Sequence, residues 1–195
     1  MMKKVVVAPD PLPSPVVLVL ASGRGERFAA SGGSVHKLSA LLRGVPVLEH
    51  TLAAVRESGL PWHLEDAGHP GMGDSIAAAV RATATAPGWL VLPADLPLVR
   101  PETLRGMVGA LYGCAVAVPV HRGERGHPVA FSALCLPGLL ALAGEQGAAG
   151  VVREQAQQGR LRLVEVHDEG TVTDVDTVQD LARAEQILAG RLTSP

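Results

Sequence analysis

The chain has 195 residues, 47% of them hydrophobic and 18% charged, and a formal net charge of −2. That length supports one domain with its own core, the composition excludes a disordered chain, and the charge gives no pull toward nucleic acid or an anionic membrane. Aromatic residues make up 3%, too few for a platform that stacks single-stranded bases, so neither nucleic acid nor membrane is expected as a partner.

Residues 1–14 read as a loose N-terminal arm. Lys3 and Lys4 precede valines as in a secretion signal, but Pro9, Asp10, Pro11, Pro13 and Pro15 interrupt the apolar stretch before it reaches signal length. Residues 16–21 form the first apolar run, a buried strand. Residues 45–58 have helical periodicity, with Val47, Leu48, Leu52 and Val55 on one face and Gly59 as the stop. A short strand over 62–65 precedes a helix over 74–83, capped by Asp74 or Gly73. Residues 89–93 read as a second buried strand, and 103–112 as a helix with Pro101 near its first turn. Strands follow over 114–119 and 129–132, helices over 134–142 and 148–157, a strand over 161–166 and a closing helix over 177–188. No segment is long and apolar enough to span a bilayer.

Alternating strands and helices predict an α/β fold: a single-domain, three-layer α/β/α sandwich with a mostly parallel sheet. The domain is expected over 15–190, with a tail at 191–195. Cys114 and Cys135 have no CxxC or zinc spacing and read as reduced core residues of a cytoplasmic protein. No histidine pair has HExxH spacing, and there is no GxSxG elbow.

In such sheets ligands bind beyond the carboxyl ends of the strands, which directs attention to two loops. The first reads Leu20-Ala21-Ser22-Gly23-Arg24-Gly25-Glu26-Arg27-Phe28. Small residues let backbone N–H groups approach an anion, a helix start adds a positive field, and Arg24 and Arg27 add cations, as in a polyphosphate cradle. The loop lacks the Lys-Ser/Thr ending of a P-loop and the third glycine of a dinucleotide fingerprint. Glu65-Asp66 ends a strand as a ribose-binding acid would, but 40 residues after Gly25, where about 20 are expected. The same loop also reads as a plain strand-to-helix turn with solvated arginines. The second loop, Leu92 to Leu98, sets Asp95 between Pro93 and Pro97, a rigid position for a carboxylate that holds magnesium, or for a turn aspartate.

Three further features stand beside these loops. Gly73, Asp74 and Ser75 open a helix, as ligand contacts or as its cap. Asp174 and Asp176 flank Val175, either completing a metal site begun by Asp95 or, for Asp176, capping the last helix with Gln179. Lys37 is the only lysine after Lys4, the other 14 of the 17 basic residues being arginines.

Five segments, in order, resemble the nucleotidyltransferases related to molybdenum cofactor cytidylyltransferase, with their glycosyltransferase-A-like, nucleotide-diphospho-sugar transferase-like fold. They are Leu20 to Phe28 with Lys37; Gly71-Met72-Gly73-Asp74-Ser75; Pro93-Ala94-Asp95-Leu96-Pro97; Arg125-Gly126-His127-Pro128-Val129-Ala130-Phe131; and Asp174-Val175-Asp176-Thr177-Val178-Gln179-Asp180-Leu181. Together they span about residues 16 to 187. The sequence departs from the family pattern at Ser22, where a second alanine is usual, and at Ala29, where glycine is. Lys37 follows Arg27 by ten residues, about twice the usual spacing, the stretch from Gly59 to Gly71 is short, and Gln146-Gly147-Ala148-Ala149 lacks an arginine.

The resemblance implies transfer of a nucleotidyl group, CMP from CTP foremost, to a phosphorylated acceptor, foremost the molybdopterin form of the molybdenum cofactor, with release of pyrophosphate. It implies Mg²⁺ as cofactor, held by Asp95 and Asp176 with Asp174 as an alternate. Backbone from Leu20 to Gly25 and the Arg27 side chain would take the triphosphate, and Lys37 would balance charge on it. Gly73, Asp74 and Ser75 would meet the base, and Arg125 and His127 the acceptor, unless His127 is only a turn residue. A molybdoenzyme or its maturation factor is a further partner consistent with this reading. The alternatives are a sugar-phosphate nucleotidyltransferase and a non-catalytic chaperone that binds nucleotide or cofactor.

Overall fold

A computed structural model describes residues 14–193; the arm expected over 1–14 falls almost wholly outside them. The strands are β1 (Val16–Leu20), β2 (Leu41–Leu42), β3 (Val45–Pro46), β4 (Trp62–Glu65), β5 (Gly88–Pro93), β6 (Val116–His121), β7 (Glu124–Arg125), β8 (Val129–Ser132) and β9 (Leu161–Glu165). The helices are α1 (Glu26–Ala30), α2 (Val47–Ser58), α3 (Met72–Ala82), α4 (Pro101–Ala110), α5 (Leu136–Leu140), α6 (Ala149–Gln157) and α7 (Val178–Thr193). Seven strands form one sheet in the order β4-β1-β5-β8-β6-β7, with β9 on the other edge of β6. Strand β1 runs parallel to β4 and β5, and β9 parallel to β6; β8 is antiparallel to both neighbours.

The side-chain alternation of the central strands builds two cores from one sheet. Val17, Val19, Leu90 and Leu92 face Leu52, Val55, Leu104 and Met107 of α2 and α4, together with Ala184 of α7. Leu18, Leu20, Trp89 and Val91 face Ile76 and Val80 of α3, Leu139 of α5 and Val151 of α6. A strand buried on both faces must be apolar at every position, which is why β1 and β5 read as continuous apolar runs. The result is the three-layer α/β/α arrangement with a mostly parallel sheet. Among the described residues no helix is long and apolar enough to cross a membrane. Both cysteines are free, and burial pushes the Cys135 thiol up to about 11.

Several boundaries differ from the sequence expectation. Helix α2 starts at Val47, not at residue 45, because Val45–Pro46 pair with Leu41–Leu42 around Arg43 and Gly44, both in left-handed backbone. Helix α3 starts at Met72 after Gly71, so Asp74 and Gly73 lie inside its first turn and neither caps it. The helix expected over 134–142 is a 3₁₀ turn, Ala133–Cys135, followed by the five residues of α5. Helix α7 continues to Thr193, so residues 191–193 extend it.

Candidate active site

Parallel pairing brings the two loops together. Leu20 lies opposite Pro93, Ala94 N–H donates to Leu20 C=O at 3.0 Å, and the segments that follow emerge side by side at the carboxyl end of the sheet. The Thr51 hydroxyl on α2 fixes the second loop by donating to Ala94 C=O at 2.9 Å. The remote C-terminal segment joins through Val175, whose N–H donates to Asp95 C=O at 2.9 Å and whose side chain is fully buried. Asp174 and Asp176 flank that anchor. A cavity of about 640 Å³ opens here, lined by the Gly23–Arg27 stretch, Lys37, Asp95, His127, Asp174 and Asp176 among others; that volume suits a small-molecule ligand.

A chain of charges crosses its floor. Lys37 Nζ donates to Asp95 Oδ2 at 2.6 Å and to Asp176 Oδ1 at 2.8 Å, and the exposed Arg27 guanidinium lies 2.6 Å from Asp176 Oδ2. Lys37 itself is buried. Burial alone would lower its pKa, but the Asp95 and Asp176 carboxylates outweigh it and hold the ammonium above its usual value. The other Asp95 oxygen, Oδ1, is buried without a hydrogen-bond partner. Loss of solvent, together with the charges of Asp176 and Asp95, pushes the Asp174 carboxyl up. Burial lowers the His127 imidazole, against the Val91 carbonyl and Asp95, and its Nδ1 is buried without a partner.

Asp176 is not the cap of α7. Thr177 Oγ1 accepts from Asp180 N–H at 3.1 Å while Asp180 Oδ2 accepts from Thr177 N–H at 2.8 Å, a reciprocal capping box one residue further on than Asp176 and Gln179. The Asp176 carboxylate is thereby left to Lys37 and Arg27.

The glycine-rich loop is held from both sides. Ala21 N–H donates to Glu65 C=O at 2.8 Å, so it is committed to the sheet edge and Ala21 does not line the cavity. His36 Nε2 bonds Gly23 C=O at 2.8 Å, and its Nδ1 accepts from Leu38 N–H at 3.3 Å, tying the loop to the turn that carries Lys37. Gly25 is left-handed and faces the His36 ring, a position that favours glycine. The following helix, α1, has only five residues. It contributes little of the dipole expected of a helix start, leaving positive charge here to Arg24, Arg27 and Lys37.

The third motif divides. Ser75 lines the cavity, its hydroxyl donating to Gly71 C=O at 3.2 Å. Gly73 and Asp74 turn away from it. A Cβ on Gly73 would meet Gln146 O at 2.7 Å, and Asp74 Oδ2 accepts from Gly144 N–H at 2.9 Å. Both pack α3 against the 143–146 loop. Arg125 and His127 line the opposite wall, where Gly126 allows close passage of Thr171 C=O. Sequence reasoning missed Thr51 and His36, whose roles come from contacts 43 and 13 residues away.

Among the described residues no three His, Cys, Asp or Glu side chains are gathered as a ready metal cage. Asp95 and Asp176 nevertheless suit a hard divalent cation: both are oxygen donors at the cavity floor, and Asp95 Oδ1 is unsatisfied.

Residues 53–160, with Asp95, Arg125 and His127 among them, match the MobA-like NTP transferase domain. The purine catabolism protein PucB of Bacillus subtilis is 31% identical over 158 residues, covering 73% of this chain and 76% of PucB. A nucleotidyl transferase from Methanothermobacter superposes with a TM-score of 0.77 at 24% identity, covering 91% of this chain and 99% of that one. The manganese complex of Rv0371c from Mycobacterium tuberculosis superposes with a TM-score of 0.66 at 23% identity, covering 89% and 98%. Fold and sequence together define a nucleotidyltransferase-type α/β domain. The chain belongs to the MobA-like NTP transferase family.

Proposed function

We propose that the protein transfers a nucleotidyl group, CMP from CTP foremost, to a phosphorylated acceptor, foremost the molybdopterin form of the molybdenum cofactor, releasing pyrophosphate. The observation that carries the reading is the Asp95–Lys37–Asp176–Arg27 chain at the carboxyl ends of β1 and β5. It sets a buried lysine and an exposed arginine against two carboxylates where a polyanion can enter. Family membership supports the triphosphate donor.

Two polyanions must be brought together, so catalysis here is positioning and charge neutralisation. Arg27 and backbone of the Ser22–Gly25 loop bind the triphosphate. Lys37, on a flexible stem, turns from the carboxylates toward the phosphate that gains charge. An acceptor phosphate is itself the nucleophile, so no general base is required. Arg125 and His127 form the acceptor wall. Asp95 and Asp176 would hold a divalent cation, Mg²⁺ foremost, with Asp174 as alternate; the manganese bound by the Rv0371c protein supports a metal of that class. When bound, the cation supplies charge neutralisation at the phosphates.

Pyrophosphate release, measured over the four NTPs, molybdopterin and sugar-phosphate acceptors, with and without Mg²⁺, tests the proposal. Release with CTP and molybdopterin alone is expected. Release only with a sugar phosphate transfers the assignment to that acceptor class, and cofactor binding without any release overturns catalysis in favour of a chaperone.

A further inference from the structure

Beside the cavity, outside the chain of charges, lies a buried carboxylate. Glu65 ends β4 and is largely enclosed. Its Oε1 accepts from His69 Nε2 at 3.0 Å and from Ala67 N–H at 3.3 Å, while Oε2 takes His63 Nε2 at 3.4 Å. Burial opposes ionisation, but the bonds from His69, Ala67 and His63 outweigh it and hold the carboxyl below its usual range. An ionised carboxylate only accepts hydrogen bonds, so the His69 Nε2 bonded to it carries a proton, and whenever the ring holds one proton Nδ1 is the nitrogen with the lone pair. The His69 ring lines the cavity and keeps 25% of its side chain exposed.

Topology says which part of a ligand that ring meets. Along the carboxyl edge the order is β4, β1, β5 and then the start of antiparallel β8. The glycine-rich loop and Asp95 therefore lie between two walls. The wall on the β8 side carries Arg125 and His127, with Glu124 beside them, and its arginine suits an anion. The wall on the β4 side presents His69, Pro70, Gly71, Met72 and Ser75, whose apolar atoms and hydrogen-bonding groups suit a flat heterocycle.

We infer that His69 is the base-reading residue of this pocket: its Nδ1 accepts a hydrogen bond from the exocyclic amino group of the nucleobase, with Glu65 as the positioning residue that fixes the tautomer. The inference rests on the nucleotide reading above and adds a selectivity to it. Cytosine carries an amino group where uracil carries a carbonyl oxygen, and a lone pair facing that oxygen repels it. A site built around one such hydrogen bond discriminates against the analogue that lacks the donor.

Equilibrium binding of CTP, UTP and inorganic pyrophosphate to the full chain with Mg²⁺, at about pH 8, tests it. The intact protein is expected to bind CTP more tightly than UTP. His69→Ala should cut that preference by about tenfold, the worth of one such hydrogen bond, with pyrophosphate affinity unchanged. Glu65→Gln should erode it in the same direction, and His69→Gln, which keeps an acceptor oxygen, should retain part of it. Unchanged selectivity in His69→Ala, or an intact protein that binds CTP and UTP equally, overturns the inference while leaving the nucleotide reading in place. An intact protein that binds no nucleoside triphosphate overturns both.

Discussion

Asp95 and Asp168 are both aspartates beyond the main strands, yet they are finished differently. Asp168 is 2% exposed and saturated. It accepts from Arg100 N–H at 2.9 Å, the Thr103 hydroxyl at 2.7 Å, Gly170 N–H at 3.0 Å and Arg191 Nη2 at 3.2 Å. Those bonds tie the start of α4, the 3₁₀ turn Glu169–Val172 and the end of α7 into one knot. Asp95 has one oxygen on a lysine and the other, buried, on nothing. A buried carboxylate whose every lone pair is met by the chain serves the fold. One left incomplete at the floor of a cavity is the one we propose to hold a ligand that the chain does not supply.

Substitutions break this contrast in opposite ways. The largest expected effect is on activity: Asp95→Asn should lower metal-dependent pyrophosphate release by about a hundredfold or more, as loss of a preorganised group at developing charge does, with a smaller fall in melting temperature than that of the Asp168 variant, because an amide oxygen can still accept from Lys37 and Asp176 keeps its bond to that ammonium. Asp168→Ala should act on stability. Removing one partner of a buried ion pair costs about 3 kcal/mol or more, which lowers the Tm by about 10 °C in a chain of this size, while turnover well below the transition is kept. Calorimetry and a turnover assay on both variants check the pair of outcomes.

Smaller effects sharpen the distinction within one segment. Thr177→Ala removes the cap of α7 and should cost about 1 kcal/mol, read as a shift of the denaturant midpoint. Asp176→Asn should leave that midpoint nearly in place and raise the Mg²⁺ concentration needed for half-maximal rate. The smallest effect is at high pH. Because the Lys37 pKa is raised on folding, its pairing contributes fully below the ordinary lysine value of about 10.4 and is lost as pH climbs through the raised one. The stability difference between the natural protein and Lys37→Met should be flat near neutrality and shrink above about pH 10.5.

How far the sequence foretold this follows from the range of each signal. The apolar runs of β1 and β5 are local, and so were readable, as was the end of α2 at Gly59, left-handed at φ 70°. The five-residue helix α1 has too few turns to show periodicity. The β2–β3 hairpin turns on a left-handed Arg43, a conformation that arginine does not announce. The start of α7 offered two capping boxes in adjacent registers, Asp176 with Gln179 and Thr177 with Asp180, which spacing cannot separate. What separates them is Lys37, 139 residues away from Asp176. Likewise Asp74 looks like a cap in sequence and is claimed by Gly144, 70 residues on. The candidate site residues were legible as residue types in loops; their partners were set by packing.

The most direct measurement is the thermal shift produced by Mg²⁺ and CTP together in the natural protein, Asp95→Asn and Asp168→Asn. A ligand that binds the folded state at a hundred times its Kd adds about 2.7 kcal/mol, a shift readily seen. The contrast between the two aspartates predicts a clear rise for the natural protein, an equal rise for Asp168→Asn from a lower starting Tm, and little or none for Asp95→Asn. A rise in Asp95→Asn equal to that of the natural protein would contradict the assignment of Asp95 to the site.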